Sequence, residues 1–160
     1  MNIEVDPKKS YVVVHGRATG HRFQTRFNGL SGSMHIADDL SNKTKGCLSV
    51  PMAKADAGDF LRTSQIKRFL APKKYPETTF EICSLTITSG EALHESMEKN
   101  LQVEVEVRGM LRYRAQETSL TARARGTLSK EKGLRAQCRF KLDLRQLDIE
   151  PPSFLFLKVN

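Results

Sequence analysis

Leu101-Gln102-Val103-Glu104-Val105-Glu106-Val107-Arg108-Gly109-Met110-Leu111-Arg112-Tyr113 alternates apolar and polar side chains, and this alternation decides the fold. Leu101, Val103, Val105, Val107, Leu111 and Tyr113 share one parity; Gln102, Glu104, Glu106, Arg108, Arg112 and then Arg114 share the other. The pattern returns at Leu120, Ala122 and Ala124 against Thr121, Arg123 and Arg125. It returns again at Leu134, Ala136, Cys138, Phe140, Leu142 and Leu144 against Arg135, Gln137, Arg139, Lys141 and Asp143. A period of two places successive side chains on opposite faces of a strand. One dry and one wet face per strand indicate antiparallel strands covered on a single side. A sheet curled on itself covers that side most simply, and the enclosed face is then a packed core or a pocket.

Working outward, Tyr11–Ala18 is strand-like, with Val12 and Val14 on one parity. His21–Ile36 is a longer strand in which Phe23 and Phe27 share a parity while Leu30, Met34 and Ile36 take the other. A bulge at Asn28-Gly29 explains the switch. Residues 37–46 read as a polar turn, and Cys47–Met52 and Thr78–Thr88 as further strands. One helical segment, about 56–71, interrupts the series. Asp56 and Asp59 suit its first turn, Phe60, Leu61, Ile66, Phe69 and Leu70 give an apolar spacing, and Pro72 stops it. The expected fold is all-β: an antiparallel barrel with one short capping helix, in a single domain over 1–160. That length suffices to bury a core or wrap a cavity.

The helix and its surroundings carry a resemblance. Asp59-Phe60-Leu61-Arg62, Phe69-Leu70, Lys74-Tyr75-Pro76 and Thr79-Phe80 occur in the order of the central signature of the YceI-like family. Phe27 to Gly32 to Ile36, Val107-Arg108-Gly109-Met110-Leu111, and Phe140-x-Leu142 through Ile149 and Pro151 are similar to its flanking strands. Gly58 precedes Asp59 where the family has an Arg-Asp pair, and Ala115-Gln116-Glu117-Thr118 replaces its Gly-Val-Thr turn. The resemblance implies a lipocalin-like barrel holding a long apolar or amphiphilic chain, such as a polyisoprenoid, a quinone or a fatty chain. On the residues alone a filled interior is the default, because packed interiors are the rule; the resemblance shifts the expectation to a hollow one. Val12, Val14, Phe23, Phe27, Phe80, Ile82, Val103, Val105, Leu120, Phe140 and Leu142 are the expected lining. Phe154–Val159 either closes the barrel or leaves an open edge.

The chain carries 26 basic and 18 acidic residues, net +8. Eleven Lys or Arg lie between Arg108 and Arg145, against Glu117, Glu131 and Asp143. Parity gathers Arg112, Arg114, Arg123, Arg125, Arg135, Arg139 and Lys141 on one polar face, expected to meet an anionic membrane surface. Nucleic acid is the less favoured partner, because no stacking aromatics interleave these charges. A homodimer stays open as a further partner.

Catalysis finds no support. A nucleophile elbow, a catalytic cysteine motif and a phosphate loop are all missing, so a non-catalytic protein without a cofactor is expected. His15, His21 and His35 lack the spacing of a metal site, and no metal is expected. Cys47, Cys83 and Cys138 read as small buried hydrophobes rather than a disulfide framework. The start lacks a signal-type apolar region, so a cytoplasmic location is expected, and no apolar run approaches the ~20 residues that span a bilayer.

Overall fold

The computed structural model describes residues 2–18, 21–36, 44–89, 102–129, 133–148 and 157–158. In chain order these form β1 (Asn2–Val5), β2 (Tyr11–Ala18), β3 (His21–Asn28), β4 (Ser31–His35), β5 (Lys45–Pro51), β6 (Ala55–Asp56), α1 (Phe60–Leu70) and β7 (Glu77–Ser89). Then follow β8 (Gln102–Tyr113), β9 (Gln116–Ser129), β10 (Gly133–Arg139) and β11 (Leu157–Lys158). The larger sheet has the order β1-β4-β5-β7-β8-β9-β10 and curls into a half-barrel; the smaller has the order β11-β2-β3-β6. Every pairing is antiparallel. The sheets are antiparallel, as the alternation predicts, and the fold is lipocalin-like, as the resemblance implies.

Two places where the strand parity changes have different causes. At Asn28-Gly29 there is no bulge. Gly29 takes φ +83°, the Leu30 N–H donates to the Ser10 carbonyl at 3.2 Å, and the chain passes from the smaller sheet into the larger. A left-handed residue at this crossing suits glycine. The bulge lies instead on β7. Ile82 pairs with Gly109 and Ser84 with Arg108, so Cys83 is the extra residue. Phe80 and Ile82 therefore point inward before it, and Leu85 and Ile87 after it.

The helix begins three residues later than Asp56. Asp59 is the N-cap and accepts the Arg62 N–H at 2.8 Å; Asp56 lies in β6 and accepts the Gly58 N–H at 2.9 Å. At the other end Ala71 is left-handed (φ 47°), its N–H reaches the Lys67 carbonyl at 2.9 Å, and Pro72 follows. Of the expected last strand, Leu157–Lys158 pairs with β2 in the smaller sheet; residues 154–156 and 159 lie outside the described residues. So do residues 37–43 of the expected polar turn, while Lys45 and Gly46 belong to β5.

Two apolar clusters fill the inside. The first, under α1, contains Phe27, Val50, Met52, Ala55, Ile66, Leu70, Leu111, Tyr113 and Leu147. The second, toward the opposite end, contains Ile36, Ile82, Leu85 and Val107. Phe80 packs against both.

Candidate functional site

The inner wall is continuous across β7, β8, β9 and β10. Cross-strand partners place Ile82, Gly109 and Leu120 in one row, Leu85, Val107 and Ala122 in the next, and Ile87, Val105, Ala124 and Cys138 in a third. Val103, Gly126 and Ala136 form a fourth. The third and fourth rows, which reach β10, open to solvent toward it and end in small side chains. Ile82, Leu85, Val103 and Val107 are buried; Ala124 and Gly126 are half-buried; Ala136 and Cys138 are exposed. Gly109 differs from Gly126. A Cβ on Gly109 would strike the Glu81 carbonyl and come within 2.6 Å of the Phe80 ring, whereas at Gly126 the nearest atoms are 3.4 Å away.

The expected lining residues fall into three groups. Phe27, Ile82, Val103 and Leu120 are buried on the inner wall. Val12, Val14, Phe80 and Leu142 pack half-buried against the first cluster, and Val105 against the second. Phe140 is a correction: β10 ends at Arg139, and the Phe140 side chain is 45 % exposed. Phe23 is a β3 residue whose side chain lies outside the described ones. Sequence reasoning also passed over two buried polar atoms, Thr25 Oγ1 and Gln65 Oε1, which have no hydrogen-bond partner among the described residues. Thr25 shares its parity with Phe23 and Phe27, which was the available signal. An unpaired buried polar atom costs about 1–3 kcal/mol, so each would gain from water or from a polar group on a ligand.

Arg114 is the second correction. Parity puts it on the wet face, but Arg114 (φ 54°) and Ala115 (φ 60°) are the two central residues of the β8–β9 turn. Both are left-handed, as a two-residue hairpin with the right twist requires. The turn swings Arg114 back beneath the cap. Its guanidinium lies 4.8 Å from the Phe69 ring centroid, 5.1 Å from Tyr75 and 5.1 Å from Tyr113. It donates to the Phe69 carbonyl, and the Tyr113 hydroxyl donates to the Leu70 carbonyl at 3.1 Å. A cation and a hydroxyl thus serve the carbonyls that the end of α1 leaves without helical partners. Burial raises the Tyr113 phenol pKa, partly offset by Arg114.

The outer face is an acid–base ladder rather than a uniform basic surface. Arg125 pairs with Glu104 at 2.7 Å, Arg108 with Glu106 at 3.1 Å, and Arg112 with both Glu117 (3.0 Å) and Glu81 (3.2 Å). The hydrogen bond that Arg112 donates to Glu117, then the charge of Glu81, raises the Arg112 pKa. Glu81, Glu104 and Glu106 precede Arg108 in the chain, so they were absent from the stretch whose charges were compared. Arg123, Arg135, Arg139 and Lys141 make no ion pair among the described residues. Arg139 stands directly opposite Arg123, while Lys141 lies beyond the end of β10.

The three cysteines are free and exposed, contrary to expectation. Cys47 takes the outward parity of β5, Cys83 is the bulge residue, and Cys138 faces inward on a strand that nothing described covers. Partial desolvation still raises the Cys138 thiol pKa. Among the described residues no group of His, Cys, Asp and Glu could hold a metal ion. His15 is exposed, and His35 shares a 2.7 Å hydrogen bond with Asn2.

Half-barrel, inner wall and helical cap together define a lipocalin-like fold. The YceI-like domain model matches residues 4–154, and the chain belongs to the YceI-like family, a family of binding proteins. Its structure is similar to the crystal structure of BcnA from Burkholderia cenocepacia, with a TM-score of 0.59, 17 % identity, and 77 % of each chain covered. No curated protein sequence matches. Among the described residues no helix is long and apolar enough to cross a membrane.

Proposed function

We propose that this chain binds an apolar or amphiphilic chain molecule, of polyisoprenoid, quinone or fatty-acid type, against the inner wall, without catalysis. The observation that carries the reading is the change along the wall: large buried side chains on β7 and β8, such as Ile82, Leu85, Val103 and Val107, give way to small ones on β9 and β10, half-buried at Ala124 and Gly126 and exposed at Ala136. A ligand entering beside β10 meets apolar surface with room for methylenes. Each buried CH₂ contributes ~0.8 kcal/mol, so about ten carbons bind well with few polar contacts. Thr25 Oγ1 and Gln65 Oε1 would take a polar end group. The family supports the ligand class. Three exposed free thiols favour a reducing cytoplasm.

Native mass spectrometry of the purified protein, followed by organic extraction, tests this. The expected result is a bound mass released by solvent, with an isoprenoid or fatty-chain composition. Ala124→Phe, which puts a ring where the wall carries a small half-buried side chain, should abolish that mass while the protein stays folded. A clean apo mass that also takes up no added lipid would overturn the reading. The same spectrum reports whether two copies associate. Of the basic strand face, the nucleic-acid alternative keeps Arg123, Arg135, Arg139 and Lys141 without an ion pair among the described residues.

A further inference from the structure

The cap presents a second surface that the inner wall does not use. On α1, Ile66 and Leu70 are buried, which directs the opposite side of the helix outward. That outward side begins with Phe60 and Leu61, 88 % and 65 % exposed. These are two of the four large apolar side chains most open to solvent among the described residues, and they are adjacent. The same side continues, at helical spacing, through Ser64 to Lys67 and Arg68. Lys73 and Lys74 follow directly, and Lys54 precedes the helix. Over residues 54–74 six basic residues, including Arg62, face only Asp56 and Asp59. Both acids are engaged, Asp59 as N-cap and at 3.5 Å from Arg62, and Asp56 with the Gly58 N–H.

An exposed Phe-Leu pair contributes nothing to the core, and leaving it in water is unfavourable by the area it exposes. An apolar end with cations along the same helix face is complementary to a bilayer surface that is anionic at the phosphates and apolar beneath them. We propose that the outward face of α1 docks on an anionic lipid bilayer, with Phe60 and Leu61 entering the acyl boundary and Lys67, Arg68, Lys73 and Lys74 meeting the headgroups. The helix then lies flat in the interface, and the barrel stands on its own cap. This relocates the membrane contact from the strand face, where the acid–base ladder occupies much of the charge. It does not depend on whether the barrel carries cargo.

Vesicle flotation tests it, with phosphatidylcholine alone and with phosphatidylcholine–phosphatidylserine mixtures. The expected result is binding to the anionic vesicles, reduced about tenfold or more in Phe60→Ser/Leu61→Ser. Arg68→Gln/Lys73→Gln should reduce it as well, and both double variants alter exposed positions and keep the wild-type melting behaviour. In Phe60→Trp, emission should shift to the blue on adding anionic vesicles. Flotation of the Phe60→Ser/Leu61→Ser protein equal to wild type, or no flotation of the wild type, would overturn the proposal. So would loss of binding on Arg123→Glu/Arg139→Glu with no effect of the helix variants, which would return the contact to the sheet. Flotation reads no cargo, so its failure leaves the carrier reading standing, and an apo mass spectrum leaves the docking surface standing.

Discussion

The β8–β9 pair and the β9–β10 pair share a strand and little else. Between β8 and β9 the register is unbroken from Gln102↔Thr127 to Tyr113↔Gln116, the inner residues from Val107 to Tyr113 and at Leu120 and Ala122 are buried, and outer ones form opposite-charge pairs. Between β9 and β10 the register is as regular, from Gly133↔Ser129 to Arg139↔Arg123. There, however, the inner side chains shrink and open to solvent, and arginine faces arginine outside. Regular pairing therefore does not bring burial with it; burial needs something opposite, and Ile66 and Leu70 of α1 and Phe27 of the smaller sheet cluster with Leu111 and Tyr113, whereas among the described residues no β10 side chain joins a buried cluster. The first pair holds the fold, and the second is the side on which a ligand could enter.

The strongest way to break this contrast is glycine against glycine. Gly109→Ala should destabilise by about 3 kcal/mol, since the Cβ has the Glu81 backbone and the Phe80 ring in its way. Gly126→Ala should change urea midpoints little, because its neighbours stand at contact distance. Next, Leu111→Ala should cost about 3 kcal/mol and Cys138→Ala less than about 0.5 kcal/mol, read from the same unfolding curves. Equal losses at the two sites would mean that β10 is covered after all.

Tyr113→Phe sharpens the account of the cap. Loss of the bond to the Leu70 carbonyl should cost about 1 kcal/mol. Burial raises the folded phenol pKa. Its contribution is therefore complete below the ordinary phenol value of about 10, and is lost as pH rises toward and through the raised one. The variant should lack that alkaline limb of the stability profile. The smallest effect is expected at Arg139→Glu, which places a carboxylate opposite Arg123. It should stabilise by about 0.5 kcal/mol at low salt, and the gain should vanish at high salt.

The long strands and the helix were legible because periodicity is local: Val103 to Leu111 reports its own pleat. The short β1 and β6 were not read, and His21–Ile36, read as one strand, is β3 and β4 in different sheets. What lay opposite each strand was not legible. Phe140 reads as the next inward residue after Cys138, yet β10 stops at Arg139, and no residue near Phe140 announces that stop. Arg114 reads as outward because parity assumes the strand continues, while two left-handed residues turn it under the helix with neither Gly nor Asn to signal them. The Cys83 bulge and the passage at Gly29 both reverse a parity, and only the register tells one from the other. The ladder partners Glu81 and Glu104 are distant in sequence from Arg112 and Arg125, so a charge count over one stretch could not pair them.

The contact of Arg114 with Tyr75 and Tyr113 has an optical consequence. The chain contains no tryptophan and three tyrosines. Tyr75 and Tyr113 lie edge-on with centroids 6.2 Å apart around one guanidinium, and Tyr11 stacks under Arg26 at 3.8 Å. The near-ultraviolet circular dichroism of the unlabelled protein is thus dominated by two chromophores at the seat of the cap. It forms a built-in gauge of whether α1 is closed, readable in the presence of lipid or ligand without attaching a dye.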